Sequence, residues 1–94
     1  MYREKVKAQK SSSPYEDAIR IVRVASKYTS DVYIEKGKKC ANAKSVLGIV
    51  ALMLEGGDVV TVSAQGADAG IALKTVCQTI GEALHLRNEY SVKR

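Results

Sequence analysis

Residues 11–18 of this 94-residue chain read SSSPYEDA, and this stretch sets the first boundary between strand and helix. Ser13 is a typical N-cap, Pro14 suits the first helical position, and Glu16 follows the cap by three residues, which makes a capping box. Acidic side chains in a first turn also suit the positive end of the helix dipole. The pattern therefore predicts a helix that begins at Pro14 and runs to about Tyr28.

The rest of the chain alternates between strand and helix patterns. The predicted strands are residues 2–9, 31–35, 39–43 and 59–64, and the predicted helices are residues 14–28, 46–54 and 69–84, with Ser45 and Asp68 as the last two N-caps. The order β-α-β-β-α-β-α predicts an α+β fold, an antiparallel four-stranded sheet with three helices on one face. We expect a single domain over 1–94, with a core at about 2–84 and a polar tail at 85–94.

Composition restricts the partners without selecting one. Apolar residues make up 46% of the chain but include no Trp or Phe, so the core must be aliphatic. The net charge of +5 permits an acidic partner such as nucleic acid, an anionic membrane or an acidic protein face. The turn with Lys36, Lys38 and Lys39 keeps a basic nucleic-acid-binding domain as the alternative, although no aromatic stacking platform accompanies it.

The cysteines and the single histidine do not form a recognisable site. Cys40 and Cys77 both lie in apolar segments, so we expect buried free thiols in a reducing compartment, with a disulfide left open. His85 and these cysteines lack zinc-ligand spacing, and no nucleophile–base pair is visible, so no metal, cofactor or enzyme activity is predicted. No apolar run reaches the length of a membrane span and the sequence shows no secretory signal, so we expect a cytoplasmic protein without a membrane partner.

Six short segments carry a family resemblance. They are Ala25-Ser26-Lys27-Tyr28, Asp31-Val32, Gly37-Lys38, Asn42-Ala43-Lys44-Ser45-Val46-Leu47-Gly48, Gly57-Asp58-Val59-Val60-Thr61-Val62 and Gly66-Ala67-Asp68. Over about residues 18–84 the chain resembles HPr, the histidine-containing phosphocarrier protein of the sugar phosphotransferase system. The resemblance implies an open-faced β-sandwich. It also implies a histidine at the start of the first helix that carries a phosphoryl group from enzyme I to the sugar-specific components.

The chain departs from the family at that carrier position. Counting back from Ala25 places Pro14 where the histidine belongs, and Tyr15, Glu16 and Asp17 replace the family's Ala, Arg and Pro. Proline cannot accept a phosphoryl group, and two carboxylates repel one. We therefore predict a regulatory or adaptor member that cannot carry phosphate on histidine, and the catabolite-repression HPr-like proteins are a precedent.

Ser45 matches the family's regulatory serine. In many Gram-positive relatives a dedicated kinase phosphorylates that serine, and the resemblance makes Ser45 a candidate for the same modification. The physical reason is that a phosphate on an N-cap meets the helix dipole and the first backbone amides. The residues alone favour an ordinary N-cap serine, and it is the family match that makes the regulatory interpretation a comparable alternative.

The apolar residues after Ser45 have two interpretations. Val46, Leu47 and Val50 occupy positions that form a docking patch in the family, and the implied partners are a kinase, a repressor or a sugar-specific component. Exposed apolar residues of this kind mark protein interfaces. The alternative is that all three belong to the core. In the docking interpretation, the neighbouring residues Ile49, Leu52 and Met53 fill the core instead.

Overall fold

Eight elements follow one another in the computed structural model, which describes residues 1–9 and 13–84. They are β1 (Tyr2–Ala8), α1 (Pro14–Ala25), β2 (Asp31–Lys36), β3 (Lys39–Asn42), α2 (Val46–Leu52), β4 (Val59–Gln65), α3 (Ala69–Ile80) and β5 (Gly81–Ala83). The predicted polar tail, with His85, lies outside the described residues, as do Ser11 and Ser12.

The strands form one antiparallel sheet in the order β3-β2-β4-β1-β5. Val6 pairs with Val60, and Ile34 pairs with Val62, and all four side chains are buried. Because side chains alternate across a strand, these residues give the sheet one apolar face, which the helices cover. Charged residues such as Lys5 occupy the opposite face. The predicted α+β open-faced sandwich is therefore confirmed.

The core is aliphatic, as the composition predicts. Its largest fully buried apolar side chains are Val6, Ile21, Val32, Ile34, Leu52, Val60, Val62 and Val76. Tyr28 lies at its edge, where the phenol donates a hydrogen bond to Thr75 Oγ1 at 3.1 Å. The helix α1 ends at Ala25 rather than near Tyr28 as predicted, so this bond ties the segment after α1 to α3. The helix itself packs against both α2 and α3.

The predicted four-stranded sheet is wrong by one strand. The final helix ends at Ile80 rather than at Leu84, and the chain then pairs with β1 as β5. Gly81 permits this pairing, because a Cβ at that position would lie 2.1 Å from the Lys7 carbonyl oxygen. Leu84 closes the pairing, and its backbone N–H donates to the Lys5 carbonyl at 2.8 Å. The apolar spacing of residues 69–84 could not reveal the close approach that ends the helix.

Asp68 stands at the N-cap position of α3, as the sequence predicts, but its side chain does not cap the helix. The carboxylate instead accepts the backbone N–H groups of Thr29 at 3.0 Å and Ser30 at 2.9 Å. The hydroxyl of Ser30 also donates to this carboxylate. Hydrogen bonds from the Ser30 hydroxyl and the Thr29 amide lower the pKa of Asp68 to about 2. Asp68 therefore holds the α1–β2 loop against the start of α3.

The two cysteines have different environments. Cys77 is a buried free thiol, as predicted, and its burial raises its pKa to about 12. Cys40 is also free, but it is exposed, so the prediction that it is buried is wrong. Strand alternation explains the difference, because it places Ala41 in the core and turns its neighbour Cys40 to the open face of an edge strand.

Candidate functional site

The N-terminal end of α1 is capped by its own sequence. Ser13 Oγ accepts the backbone N–H of Glu16 at 3.3 Å, and Pro14 occupies the first turn. Tyr15 and Glu16 are exposed, and Asp17 binds the Arg20 guanidinium at 2.9 Å. The solvent-facing groups at this helix end are therefore a pyrrolidine ring, a phenol and carboxylates. Negative charge already occupies the end of the helix that attracts anions.

The N-terminal end of α2 has the opposite character. Ser45 Oγ accepts the backbone N–H of Gly48 at 3.0 Å, which makes Ser45 an N-cap as predicted. The first turn of α2 contains no acidic residue. Lys44 precedes the cap, and its ammonium donates to the Tyr28 carbonyl at 2.8 Å. The helix dipole, which no first-turn carboxylate opposes, favours negative charge near the Ser45 hydroxyl.

The three apolar residues after Ser45 do not share one environment. Leu47 is 81% exposed, which excludes the alternative that all three belong to the core. Val46 and Val50 are half-buried and pack against the core. Ile49 and Leu52 are the buried residues of α2. The exposed side of α2 is therefore apolar, with Leu47 at its most accessible point.

At the C-terminal end of α2, the prediction that Met53 is buried in the core is wrong. Met53 is 61% exposed rather than buried, and it ends the helix earlier than predicted because its backbone is left-handed, with φ 54° and ψ 55°. Among the described residues, it is the only non-glycine residue with positive φ. Such a conformation costs roughly 1–2 kcal/mol for a residue with a Cβ.

A lysine from the sheet holds this strained helix end. Lys36 Nζ donates to the carbonyl oxygens of Leu52 at 3.1 Å and Met53 at 2.7 Å, and it forms an ion pair with Asp58 at 2.9 Å. The hydrogen bond from Lys36 is the main cause that lowers the pKa of Asp58. The sequence interprets Lys36 as a turn residue. The only signal in the sequence for this role is that the residue directly after Leu52 is methionine and not the glycine that commonly ends a helix.

Other kinds of site are not visible in the described residues. Within residues 1–9 and 13–84, no three His, Cys, Asp or Glu side chains form a group that could hold a metal ion. Over the same ranges, no helix has the length and apolar character needed to cross a membrane. The features that remain are the two capped helix starts and the apolar side of α2.

The fold and these helix ends define a small phosphocarrier-type domain, and comparison with known proteins identifies its family. The family model of the PTS HPr component, described by its phosphorylation site, matches residues 16–82. The chain therefore belongs to the HPr family. Members of this family are phosphocarriers rather than enzymes. The matched region begins two residues after Pro14.

Particular relatives agree with this assignment. The chain is 36% identical over 83 residues to the HPr-like protein Crh of Bacillus subtilis, which covers 87% of this chain and 98% of Crh. HPr-C-His from Thermoanaerobacter tengcongensis superposes with a TM-score of 0.79 at 33% identity, over 85% of this chain and 91% of that one. The phosphocarrier protein HPr from Bacillus anthracis superposes with a TM-score of 0.76 at 28% identity, over 84% of this chain and 95% of that one. The similarity to Crh supports a catabolite-repression type of HPr-like protein, and none of these relatives supports the nucleic-acid-binding alternative.

Proposed function

We propose that this protein is a regulatory or adaptor member of the phosphotransferase system that does not carry phosphate on histidine. The observation that supports this proposal most directly is the start of α1. Pro14 stands at the position that the family resemblance gives to the carrier histidine. The exposed Glu16 and the ion-paired Asp17 follow it in the first turn. A phosphoryl group brought to this end would find no imidazole to accept it and would be repelled by carboxylates.

Ser45 is the proposed phosphorylation site. A phosphate on its Oγ would lie at the positive end of α2, next to backbone amides of the first turn that have no partner within the helix. Lys44 is adjacent in sequence, and no acidic residue of the first turn opposes the added charge. The phosphate would have to replace the hydrogen bond from Gly48, which its oxygens are able to accept.

Val46, Leu47 and Val50 are the proposed docking residues. Leu47 offers an exposed apolar side chain beside the modification site, so a partner that covers it also reaches Ser45. Apolar anchors of this kind, surrounded by polar residues, are typical of protein interfaces. The proposed partners are a kinase, a repressor or a sugar-specific component, in the cytoplasm. The proposal includes no enzyme activity of this chain.

The test is intact mass measurement with site mapping after two incubations. One contains phosphoenolpyruvate and enzyme I of the same organism, and the other contains ATP and its HPr kinase. We expect one phosphate in the ATP incubation only, and we expect it to map to Ser45. Acid-labile phosphate in the first incubation would overturn the claim that the chain is not a carrier.

Matched variants make the site assignment specific. Ser45→Ala removes the proposed acceptor, whereas Ser13→Ala removes the equivalent N-cap serine of α1 and should leave the modification unchanged. Leu47→Ala keeps Ser45 but shortens the exposed anchor, so it should raise the KM of the kinase for this protein while its kcat stays similar. Unmodified wild-type protein in the ATP incubation would refute the role of Ser45.

A further inference from the structure

The helix that follows Ser45 is too short to be stable without support from the rest of the fold. It has seven residues, Val46–Leu52, and helices of this length are unstable in isolation because the first turn is costly to form. Ser45 caps its N-terminal end, and Ile49 and Leu52 bury its inner side. In two turns, disorder that begins at the C-terminal end readily reaches the first turn. The contacts at the C-terminal end therefore affect the geometry at Ser45.

The C-terminal end of α2 does not hold itself in place. Met53 adopts the left-handed conformation, with φ 54°, where glycine is the common residue because it has no Cβ. The last turn of α2 contains no basic side chain that could bind the terminal carbonyl groups. The Met53 N–H donates to the Val50 carbonyl at 3.0 Å, which closes the final turn. A strained helix end of this kind depends on a contact from elsewhere in the chain.

Lys36 supplies that contact. It is the last residue of β2 and lies on the same face of the strand as the buried Ile34, the face that the helices cover. Its ammonium donates to the carbonyl oxygens of Leu52 at 3.1 Å and Met53 at 2.7 Å. The same ammonium pairs with Asp58 at 2.9 Å. An ammonium has three donors, so these three acceptors use its full capacity.

We propose that Lys36 is a positioning residue for the modification of Ser45, because it keeps α2 ordered from the C-terminal end. The inference rests on the proposed phosphorylation of Ser45. A kinase that recognises only the ordered helix binds with an apparent affinity reduced by the fraction of molecules in which α2 is disordered. The complex that does form is unchanged. Loss of Lys36 should therefore raise the KM of the kinase for this protein and leave kcat similar.

The first experiment compares Lys36→Met with Lys38→Met. Lys36→Met keeps most of the apolar stem and removes the ammonium, whereas Lys38→Met removes the same charge from the exposed turn. With ATP and the HPr kinase of the same organism, Lys36→Met should raise KM about threefold or more, with kcat within about twofold of the wild type. Lys38→Met should leave KM unchanged. Without the kinase, amide hydrogen exchange in α2 should be about tenfold or more faster in Lys36→Met, with much smaller changes in β1 and β4.

A second substitution distinguishes positioning from direct contact with the kinase. Glycine relieves the left-handed strain, so Met53→Gly in the Lys36→Met background should return KM towards the wild-type value. This substitution could not replace a lysine that binds the kinase itself. Val76→Ala controls for general loss of stability, because Val76 is fully buried in α3. It should lower Tm at least as far as Lys36→Met does and leave KM unchanged.

The outcomes separate this inference from the proposed modification. An unchanged KM in Lys36→Met, an equal rise in Lys38→Met or Val76→Ala, or no recovery with Met53→Gly would overturn the positioning role. Unchanged hydrogen exchange in α2 would overturn it as well, whether or not Ser45 is phosphorylated. Faster exchange in α2 together with a wild-type chain that takes no phosphate would refute the modification of Ser45 and not the contact by which Lys36 orders α2.

Discussion

Replacing Ser45 with alanine tests the physical basis of the proposed modification site. The Ser45 hydroxyl accepts the Gly48 amide at 3.0 Å in a half-buried position, so its removal leaves a donor that water reaches poorly. N-cap losses cost about 0.5–2 kcal/mol, and the half-buried position of the bond places this one at roughly 1.5 kcal/mol. For a domain of this size that corresponds to a fall of about 6–12 °C in Tm.

The comparison with Ser13 controls for the general effect of a lost cap. Ser13 accepts the Glu16 amide at 3.3 Å in an exposed position, where water can replace the hydroxyl. We therefore expect Ser13→Ala to cost only about 0.5 kcal/mol. Thermal unfolding and urea denaturation followed by circular dichroism measure both variants. The reasoning fails if Ser45→Ala unfolds within about 0.3 kcal/mol of the wild type or if Ser13→Ala is the less stable of the two.

A negatively charged side chain at position 45 should stabilise the fold relative to alanine. Aspartate is a good N-cap and interacts favourably with the helix dipole, so Ser45→Asp should be about 2 kcal/mol more stable than Ser45→Ala at low ionic strength. Part of this difference should disappear in about 1 M salt, because the charge is partly exposed. If Ser45→Asp is no more stable than Ser45→Ala, this helix end does not favour an anion, and a phosphate there would have no electrostatic benefit.

Four further predictions follow from single contacts. Gly66→Ala should cost about 3 kcal/mol or more by urea denaturation, because φ is +144° and the new Cβ would lie 2.5 Å from Ser30 Oγ. The pKa of Asp68 is lowered to about 2 from 3.8, so its stabilising contribution should be complete above pH 4 and should be lost towards pH 2; Asp68→Asn should show a weaker dependence of Tm on pH in this range. Met53→Gly should stabilise the fold by roughly 0.5–1 kcal/mol in the same denaturation assay, because glycine relieves the left-handed strain. Pro14→His should still take no acid-labile phosphate from phosphoenolpyruvate and enzyme I, because the carboxylates of the first turn remain; phosphorylation of this variant would show that proline alone blocks transfer.

Contacts between chain neighbours made most of the fold predictable. The capping box at Ser13 and Pro14 fixes the start of α1, and the Ser45 hydroxyl fixes the start of α2. Alternating apolar residues fix the strands, as the buried Val60 and Val62 of β4 illustrate. Each of these signals involves residues within about one helical turn or one strand, so the sequence alone contains the information. The family resemblance rests on the same local segments.

The site was predictable only in part. The sequence indicates Ser45 as a candidate phosphorylation site. It left open whether Leu47 is exposed, because an apolar residue on a short helix can face either the core or solvent. The role of Lys36 was not visible, since its partners Leu52 and Met53 lie 16 and 17 residues further along the chain. The left-handed backbone of Met53 lies at that same contact.

The sequence by itself therefore determined the element order, the helix starts, the aliphatic core and the absence of a histidine from α1. The tertiary structure alone decided that Gly81 begins a fifth strand, that Asp68 binds the α1–β2 loop instead of capping α3, and that Cys40 faces solvent. The physical reason is distance along the chain. Propensity and capping act between near neighbours, whereas the close approach of Gly81 to Lys7 exists only once the sheet has assembled.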